Sequence, residues 1–343
     1  MLYKSLIIES IREQLEGFKT FTFNANHNID YQAGQYLTFV QKSTNEEIRR
    51  SYSIVSAPLL NEPLTIGVKR IENGAFSRML IDHAKTGDEL LSSGAGGLFI
   101  LPDDLSGIKQ IFFLAAGSGI TPVFSLLKTV LHFHTQINVV LIYSNRSPQK
   151  TIFFSELMEL KRVFNQRFEL QFLFSTSTNL SFARLNRELL EQLTKEFSVC
   201  DLNQTLFYVC GPEAYMRMCI YTLQEQRVPK ENIRKETFII YQKHHSQLGP
   251  PDKSTHQVKI HYDKETYLLN VQYPDSILKT AKRQNILLPY SCETGRCGNC
   301  VAKRISGSVW LSYNEVLTEQ DLKNGLTLTC VGHPVDGDVV LKI

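Results

Sequence analysis

A chain of 343 residues is too long for one ordinary hydrophobic core and predicts two or three domains. With 43% apolar and 21% charged residues, its composition excludes a disordered chain and a fibre. A formal net charge of +3 leaves no excess of the kind that nucleic acid or an anionic membrane surface demands.

Near the N-terminus the apolar Leu6-Ile7-Ile8 is cut off by Glu9 and Arg12, well short of a signal h-region. Up to about residue 104, short alternating segments at 20–23, 34–40, 52–55 and 64–68 are separated by turn-forming residues and predict a small antiparallel β-barrel. Arg50-Ser51-Tyr52-Ser53 falls on one of these strands, with Arg50 and Tyr52 on one side and Ser51 and Ser53 on the other. A flavin needs a cation for its phosphate, a flat ring against the isoalloxazine and a small hydroxyl near N5. An exposed arginine and a core tyrosine would account for the same four residues. Further on, Gly67-Val68-Lys69-Arg70 ends a strand and Asn73-Gly74-Ala75-Phe76-Ser77 opens a helix. Its first N–H groups and the Ser77 hydroxyl suit a pyrophosphate.

From about residue 109 the rhythm becomes strand–helix–strand, which predicts βαβ units and a parallel sheet. The apolar stretch 111–127 contains Gly117, Ser118, Gly119, Thr121 and Pro122, so it reads as a buried strand and a turn, not as a membrane helix of about 20 apolar residues. In Gly117-Ser118-Gly119-Ile120-Thr121-Pro122 the glycines permit a tight turn close to a phosphate, and Pro122 fits the first helical turn. Tyr143-Ser144-Asn145-Arg146-Ser147 ends the next strand, where an adenosine ribose is read. It holds no Asp or Glu, and Arg146 with Ser144 and Lys150 supplies chemistry for a 2′-phosphate, which favours NADPH over NADH. A solvated loop arginine is the competing account. Tyr208-Val209-Cys210-Gly211-Pro212-Glu213 ends a later strand, on the side where open α/β sheets bind ligands.

Residues 244–255 have no periodicity, and their Gly249-Pro250-Pro251 forbids a continuing helix, so they read as a linker. Strands at 257–262 and 266–271 follow, then a helix capped by Asp275 that carries Ile277, Leu278 and Ala281 on one face. Cys292, Cys297, Cys300 and Cys330 have the spacing C-x₄-C-x₂-C…C, by which a tight loop and a distant strand ligate a [2Fe–2S] cluster. Gly295 and Gly298 let the loop wind and aim N–H groups at sulfur. A four-cysteine zinc site competes, although it usually shows two short pairs. Cys200 and Cys219 read as small buried hydrophobes. Seven cysteines, an odd number, argue for a reducing cytoplasm over a disulfide scaffold.

The cysteine motif, Gly307, Val309 and the 328–334 stretch closely resemble a plant-type ferredoxin over residues 256–343. The flavin and nicotinamide segments occur in the order and spacing of the ferredoxin–NADP reductase family, which about the first 240 residues resemble. The resemblance implies a multidomain protein: an FAD-binding β-barrel at 1–104, an α/β nicotinamide domain at 105–243, the linker at 244–255 and a β-grasp ferredoxin domain at 256–343.

It further implies that Arg50, Ser51, Tyr52 and Ser53 hold the flavin, that Gly67, Val68 and Lys69 lie along it, and that Gly74, Ala75, Phe76 and Ser77 meet its phosphates. Gly117, Ser118, Gly119, Thr121, Ser144, Asn145 and Arg146 would hold the dinucleotide, and Cys210, Gly211 and Pro212 would face the nicotinamide. Phe238 is the aromatic expected to cover the flavin, although a core role would suit it as well. Ser53 and Cys210 are the catalytic candidates, and no general acid or base is needed. The domain order resembles the reductase components of multicomponent oxygenases and hydroxylases, the phenylacetyl-CoA epoxidase reductase type among them. Electrons from NADPH would pass through FAD and the cluster to such a partner, without membrane insertion. A reductase for a desaturase or another separate acceptor, and a redox-sensing module without turnover, remain as alternatives.

Overall fold

The computed structural model describes residues 3–25, 28–42, 47–238 and 249–343, which form two compact units, Tyr3–Glu236 and Thr237–Ile343. In the first unit, β1 (Lys4–Leu15), β2 (Phe18–Phe23), β3 (Tyr36–Lys42), β4 (Glu47–Ser53), β5 (Thr65–Lys69) and β6 (Glu89–Gly96) make an antiparallel sheet in the order β4-β3-β6-β1-β2-β5. Its two edges meet where Ile54 bridges Ile66 and the Val55 N–H donates to Thr65 O at 2.9 Å, so the sheet curls into the expected barrel. Alternating side chains fill it, with Leu6, Ile8, Phe21, Phe23, Leu37, Phe39, Ile66 and Val68 buried. After β5 the chain enters α1 (Ala75–Arg78), which runs on into a π turn at Met79–His83.

Five parallel strands follow: β7 (Gln110–Ala116), β8 (Asn138–Asn145), β9 (Phe168–Phe174), β10 (Thr205–Cys210) and β11 (Ile233–Glu236). Their order is β11-β10-β7-β8-β9. Every residue of β7 and β10 is buried, which is why both read as unbroken apolar runs. The connecting helices are α2 (Ile120–Phe133), α3 (Phe154–Val163), α4 (Arg187–Phe197) and α5 (Glu213–Glu225). Residues of α2 and α3 join one core cluster beside the sheet, and residues of α4 and α5 join another. The strand order reverses between β7 and β10, so their C-terminal ends form the crevice where such sheets take ligands.

Barrel and parallel sheet share one core. Phe18, Ala33, Val55 and Phe99 pack with Val123, Phe124, Leu126, Leu127, Phe153 and Tyr208. Polar ties cross the same seam. Ser125 Oγ donates to Ser56 O at 2.6 Å, Tyr208 OH donates to Ile100 O at 2.8 Å, and Lys128 pairs with Glu62. Gly34 sits here with φ +88°, and a Cβ on it would stand 1.9 Å from Phe99 O. Gly34→Ala is therefore expected to cost about 3 kcal/mol, which for a unit of this size lowers Tm by roughly 6–12 °C. Calorimetry of the holoenzyme checks this, and an unchanged Tm would contradict the packing described.

In the second unit, β12 (His256–Tyr262), β13 (Glu265–Val271), β14 (Val301–Leu311), β15 (Leu326–Leu328) and β16 (Gly332–Lys342) form a mixed sheet in the order β13-β12-β16-β14-β15. Only β12 and β16 pair in parallel. With α6 (Ile277–Arg283) and the short α7 (Glu319–Lys323) this is the expected β-grasp arrangement. The cap of α6 is Ser276, whose hydroxyl accepts from the Lys279 N–H at 3.2 Å, and not Asp275 as the sequence suggests. Asp275 instead pairs with Lys279 and Arg283 one and two turns along, which competes with capping for its carboxylate. Of the expected linker, 244–248 lies outside the described residues. Asp252 ties the remainder to this unit, accepting from the Ser254 N–H at 2.8 Å and the Asp336 N–H at 3.1 Å and meeting His256 Nε2 at 2.5 Å.

Candidate functional site

Strand β4 carries Arg50, Ser51, Tyr52 and Ser53 at its C-terminal end. Arg50 and Ser51 are exposed, Tyr52 is half-buried and Ser53 is buried. The Ser51 hydroxyl lies 2.9 Å from Thr38 Oγ1 on β3. The Tyr52 ring stacks on Phe76 at 5.9 Å, and Phe76 stacks on Phe39 at 6.0 Å, so an apolar column fixes its plane. Burial raises the Tyr52 pKa and keeps the phenol protonated at neutral pH. Lys69 is exposed at the end of β5, and Gly67 and Val68 are buried before it. Gly74 brings no capping side chain to α1, so its cap supplies no side-chain acceptor for the first helical N–H groups. The Ser77 hydroxyl turns inward, accepting from the Ile71 N–H at 3.2 Å and donating to Gly74 O at 3.0 Å.

At the C-terminal ends of β7 and β10 the two turns interlock. A Cβ on Gly119 would stand 2.1 Å from Cys210 O and 2.8 Å from the Gly211 N. Tyrosine hydroxyls hold the end of β7, Tyr215 donating to Ala115 O at 3.2 Å and Tyr143 to Gly117 O at 2.9 Å. The Thr121 hydroxyl donates to Ser118 O at 2.9 Å and closes the turn. Its methyl group presses on β5, since a Cβ on Gly67 would stand 2.8 Å from Thr121 Cγ2. The Gly117–Pro122 turn and β5 therefore touch.

Pro212 precedes α5 as its cap. Two features of this crevice fit a dinucleotide. A Cβ on Gly117 would meet no atom within 4 Å, which leaves open space against the backbone. Ser144 Oγ and Asn145 Nδ2 are buried atoms without a hydrogen-bond partner. The hydroxyls of Tyr215 and Tyr143 lie beside Ser144 and Asn145, and each gives its own proton to a backbone carbonyl, Ala115 O and Gly117 O. Arg146 is exposed just beyond β8, and Lys150 pairs with Glu16 at 3.0 Å.

Cys210 is fully buried. Desolvation first, and the Glu236 carboxylate second, push its thiol well above the usual range, so it is a neutral group at this site. Glu236 is its register partner on β11 and is only 7% exposed. Nothing local in Ile233-Arg234-Lys235-Glu236 marks this carboxylate. The signal that finds it is the parallel pairing of β10 with β11. Phe238 is 44% exposed and is grouped with the second unit.

In the second unit Cys292, Cys300 and Cys330 are buried and Cys297 is half-buried. The four sulfurs lie within electrostatic reach of one another, with Cys292 against Cys297 and Cys300 against Cys330 the strongest interactions. Among the described residues no three His, Cys, Asp or Glu converge on a single ion. Two pairs of thiols are what a two-iron centre requires, with each iron taking two. The Thr294 N–H donates to Cys292 Sγ at 3.4 Å, and the N–H groups of Arg296, Asn299 and Gly295 face Cys292, Cys297 and Cys330. Those donors stabilise thiolate charge, which is what the cluster presents to the loop. Gly295 and Gly298 have φ of +75° and +72°, and a Cβ on Gly295 would stand 2.8 Å from Tyr313 O. The backbone thus winds as tightly as the ligand spacing requires. Cys200 is half-buried and Cys219 buried, both in the first unit.

A barrel with a flavin-binding strand, a parallel sheet with a nucleotide crevice and a four-thiolate loop define a nicotinamide-dependent flavin and iron–sulfur oxidoreductase. Family models agree in the same order: an oxidoreductase FAD-binding domain at 7–100, an oxidoreductase NAD-binding domain at 113–220 and a 2Fe-2S iron-sulfur cluster binding domain at 260–335. The chain is 30% identical to one of the components of 1,2-phenylacetyl-CoA epoxidase of Escherichia coli K12, over 99% of this chain and 97% of that protein. It is also 30% identical to the ferredoxin reductase component of 3-ketosteroid-9-alpha-monooxygenase of Mycolicibacterium smegmatis, over 92% and 88% of the two chains. Its fold matches phthalate dioxygenase reductase with a TM-score of 0.59 at 22% identity, over 99% and 98% of the chains. The protein belongs to the family of ferredoxin–NADP reductase-like oxygenase reductases that carry FAD and a C-terminal [2Fe–2S] domain. It is an enzyme that moves electrons from NAD(P)H through FAD and a [2Fe–2S] cluster in oxygenase systems. Among the described residues no helix is long and apolar enough to cross a membrane.

Proposed function

We propose that this chain oxidises NADPH and supplies single electrons to a cytoplasmic oxygenase or hydroxylase component, as in phenylacetate-type aromatic degradation. The domains that do so are 1–104 for FAD, 105–243 for the nicotinamide and 256–343 for the cluster, with 244–255 joining the last two. When bound, FAD accepts a hydride at N5 and the [2Fe–2S] cluster carries electrons one at a time, so a pair donor is matched to a one-electron acceptor.

The contact of Thr121 with Gly67 carries this reading, because it brings the nicotinamide turn against the flavin strand. Arg50 pairs with a flavin phosphate, Tyr52 lies flat against the isoalloxazine and Ser51 braces the strand. The buried Ser53 hydroxyl sits near N5 and leaves room for the donor ring. Gly67, Val68 and Lys69 line one edge, and the N–H groups of Ala75, Phe76 and Ser77 after Gly74 hold the pyrophosphate. Gly117, Ser118, Gly119 and Thr121 cradle the dinucleotide phosphates, while Ser144 and Asn145 spend their unpaired buried atoms on its ribose. Cys210, Gly211 and Pro212 form the floor under the nicotinamide, where a small uncharged thiol excludes water. Phe238, just after β11, is the aromatic that would cover the flavin. Cys292, Cys297, Cys300 and Cys330 hold the cluster.

Arg146 binds the 2′-phosphate. A charge-assisted bond of about 1.5–3 kcal/mol predicts that Arg146→Ala raises KM for NADPH by roughly 10- to 100-fold. KM for NADH should change less than about twofold, because that cofactor has no phosphate for the guanidinium to hold. Steady-state reduction of an artificial one-electron acceptor with each cofactor measures both. Equal changes would remove Arg146 from the site, and a lower wild-type KM for NADH would reverse the cofactor choice. For the partner, co-expression with an oxygenase component and NADPH-dependent turnover of its substrate is the test. A partner that accepts no electrons from the reduced protein would exclude that pairing.

A further inference from the structure

Between Cys292 and Cys297 the ligand loop carries a charged side chain that faces protein, not water. Arg296 Nε lies 3.0 Å from Glu315 Oε2. Its NH2 donates to Tyr313 OH at 3.3 Å, and Tyr313 OH donates in turn to the same Glu315 oxygen at 2.9 Å. The guanidinium sits 5.3 Å from the Tyr313 ring centroid. Only 10% of the Arg296 side chain and 26% of the Glu315 side chain is exposed. The backbone repeats the link, since the Glu315 N–H donates to Gly295 O at 3.1 Å. Residues 313–315, just after β14, thus form the outer wall of the loop.

Stability alone does not explain this arrangement. Drawing two charges out of water costs several kcal/mol each, and apolar replacements of equal volume usually do as well or better. What the triad does supply is a fixed positive charge on the residue that directly precedes a cluster cysteine. The same residue points its own N–H at Cys292 Sγ. We propose that Arg296 is a positioning residue that raises the reduction potential of the [2Fe–2S] centre, with Glu315 and Tyr313 holding its guanidinium in place and Glu315 partly offsetting it.

Reduction brings in one electron, supplied from NAD(P)H through the flavin, and makes the tetrathiolate centre one charge more negative. A nearby cation favours that change and a nearby carboxylate opposes it. The two variants must therefore act with opposite signs, whichever group stands closer to the sulfurs. A merely structural clamp would move the potential the same way on either side, or leave it where it was.

The test is an EPR-monitored redox titration of the full-length holoenzyme. Arg296→Gln is expected to make reduction harder, shifting the ratio of reduced to oxidised cluster about tenfold at fixed ambient potential, or about 59 mV lower for a one-electron couple. Glu315→Gln is expected to shift it upward, and Arg296→Lys to stay near wild type because the charge is kept. Shifts of the same sign, or no shift in either variant, overturn the proposal. Should Arg296→Gln fail to assemble a cluster, Glu315→Gln decides: a raised potential supports the role and an unmoved or lowered one overturns it. The inference rests on the four-cysteine [2Fe–2S] assignment. A wild-type protein without an iron–sulfur signal on reduction would sink that assignment, whereas unmoved potentials sink only the role of Arg296.

Discussion

Gly119→Ala is expected to slow reduction of the bound flavin by NAD(P)H about 100-fold while leaving FAD content and the cluster spectrum unchanged. The added methyl would stand 2.1 Å from Cys210 O and 2.5 Å from its carbonyl carbon. Neither can yield cheaply, because both belong to a buried central strand paired on its two sides. Relief therefore comes from parting the two turns by about an ångström, which moves the nicotinamide relative to its acceptor. Misplacement on that scale costs about 10²-fold when hydride donor and acceptor must meet in a near-attack geometry. Stopped-flow bleaching of the flavin measures the step directly. Gly119 lies outside the residues proposed to hold the flavin, so FAD retained per chain is the control. A normal bleaching rate would show that the turns do not set the approach.

Cys300→Ser should separate the two halves of the reaction. Electron delivery to a protein acceptor is expected to fall at least about 100-fold, because the loss of one thiolate removes the soft ligand that the centre needs. NAD(P)H-driven reduction of a small oxidant that draws directly on the flavin should stay within about twofold. Cys300 suits the test because its carbonyl, not its thiol, holds the fold here: Thr329 N–H and Oγ1 donate to Cys300 O at 3.1 and 3.2 Å. The serine variant keeps that pairing. Cys219→Ser, buried in α5 of the other unit, provides the contrast and should leave cluster absorbance intact. Protein-acceptor reduction unaffected by Cys300→Ser would mean that electrons leave by another route.

The sequence made local chemistry visible and left distant pairings hidden. The cluster cysteines and the Gly117–Gly119 turn could be read because their function needs fixed spacing along the chain. The strands β7 and β10 announced themselves through unbroken apolar runs, as strands buried on both faces must. Glu236 stayed hidden because its meaning comes from a register partner, Cys210, lying on a neighbouring strand. Arg296 stayed hidden for the same reason, since its partners Tyr313 and Glu315 come after a full strand. Ser77 looked like a phosphate ligand from its place in a helix start, yet its hydroxyl is spent on Ile71 and Gly74. Only its N–H is left for that work. Asp275 was outcompeted as a cap by basic residues on the helix it precedes. Alternation likewise put Val55 on a strand without saying that what covers it is the nucleotide half.

That common interior limits how this enzyme is rebuilt. A cut between residues 100 and 110 looks convenient for exchanging the pyridine-nucleotide half with a relative of different cofactor preference. The transplanted half would then bring foreign side chains against Gly34 and Gly67, two places with no room for an extra atom. Chimeras with that breakpoint must carry matched seam residues from the same parent. Retuning cofactor choice by a point change at the exposed Arg146, just beyond β8, leaves the packed seam residues as they are.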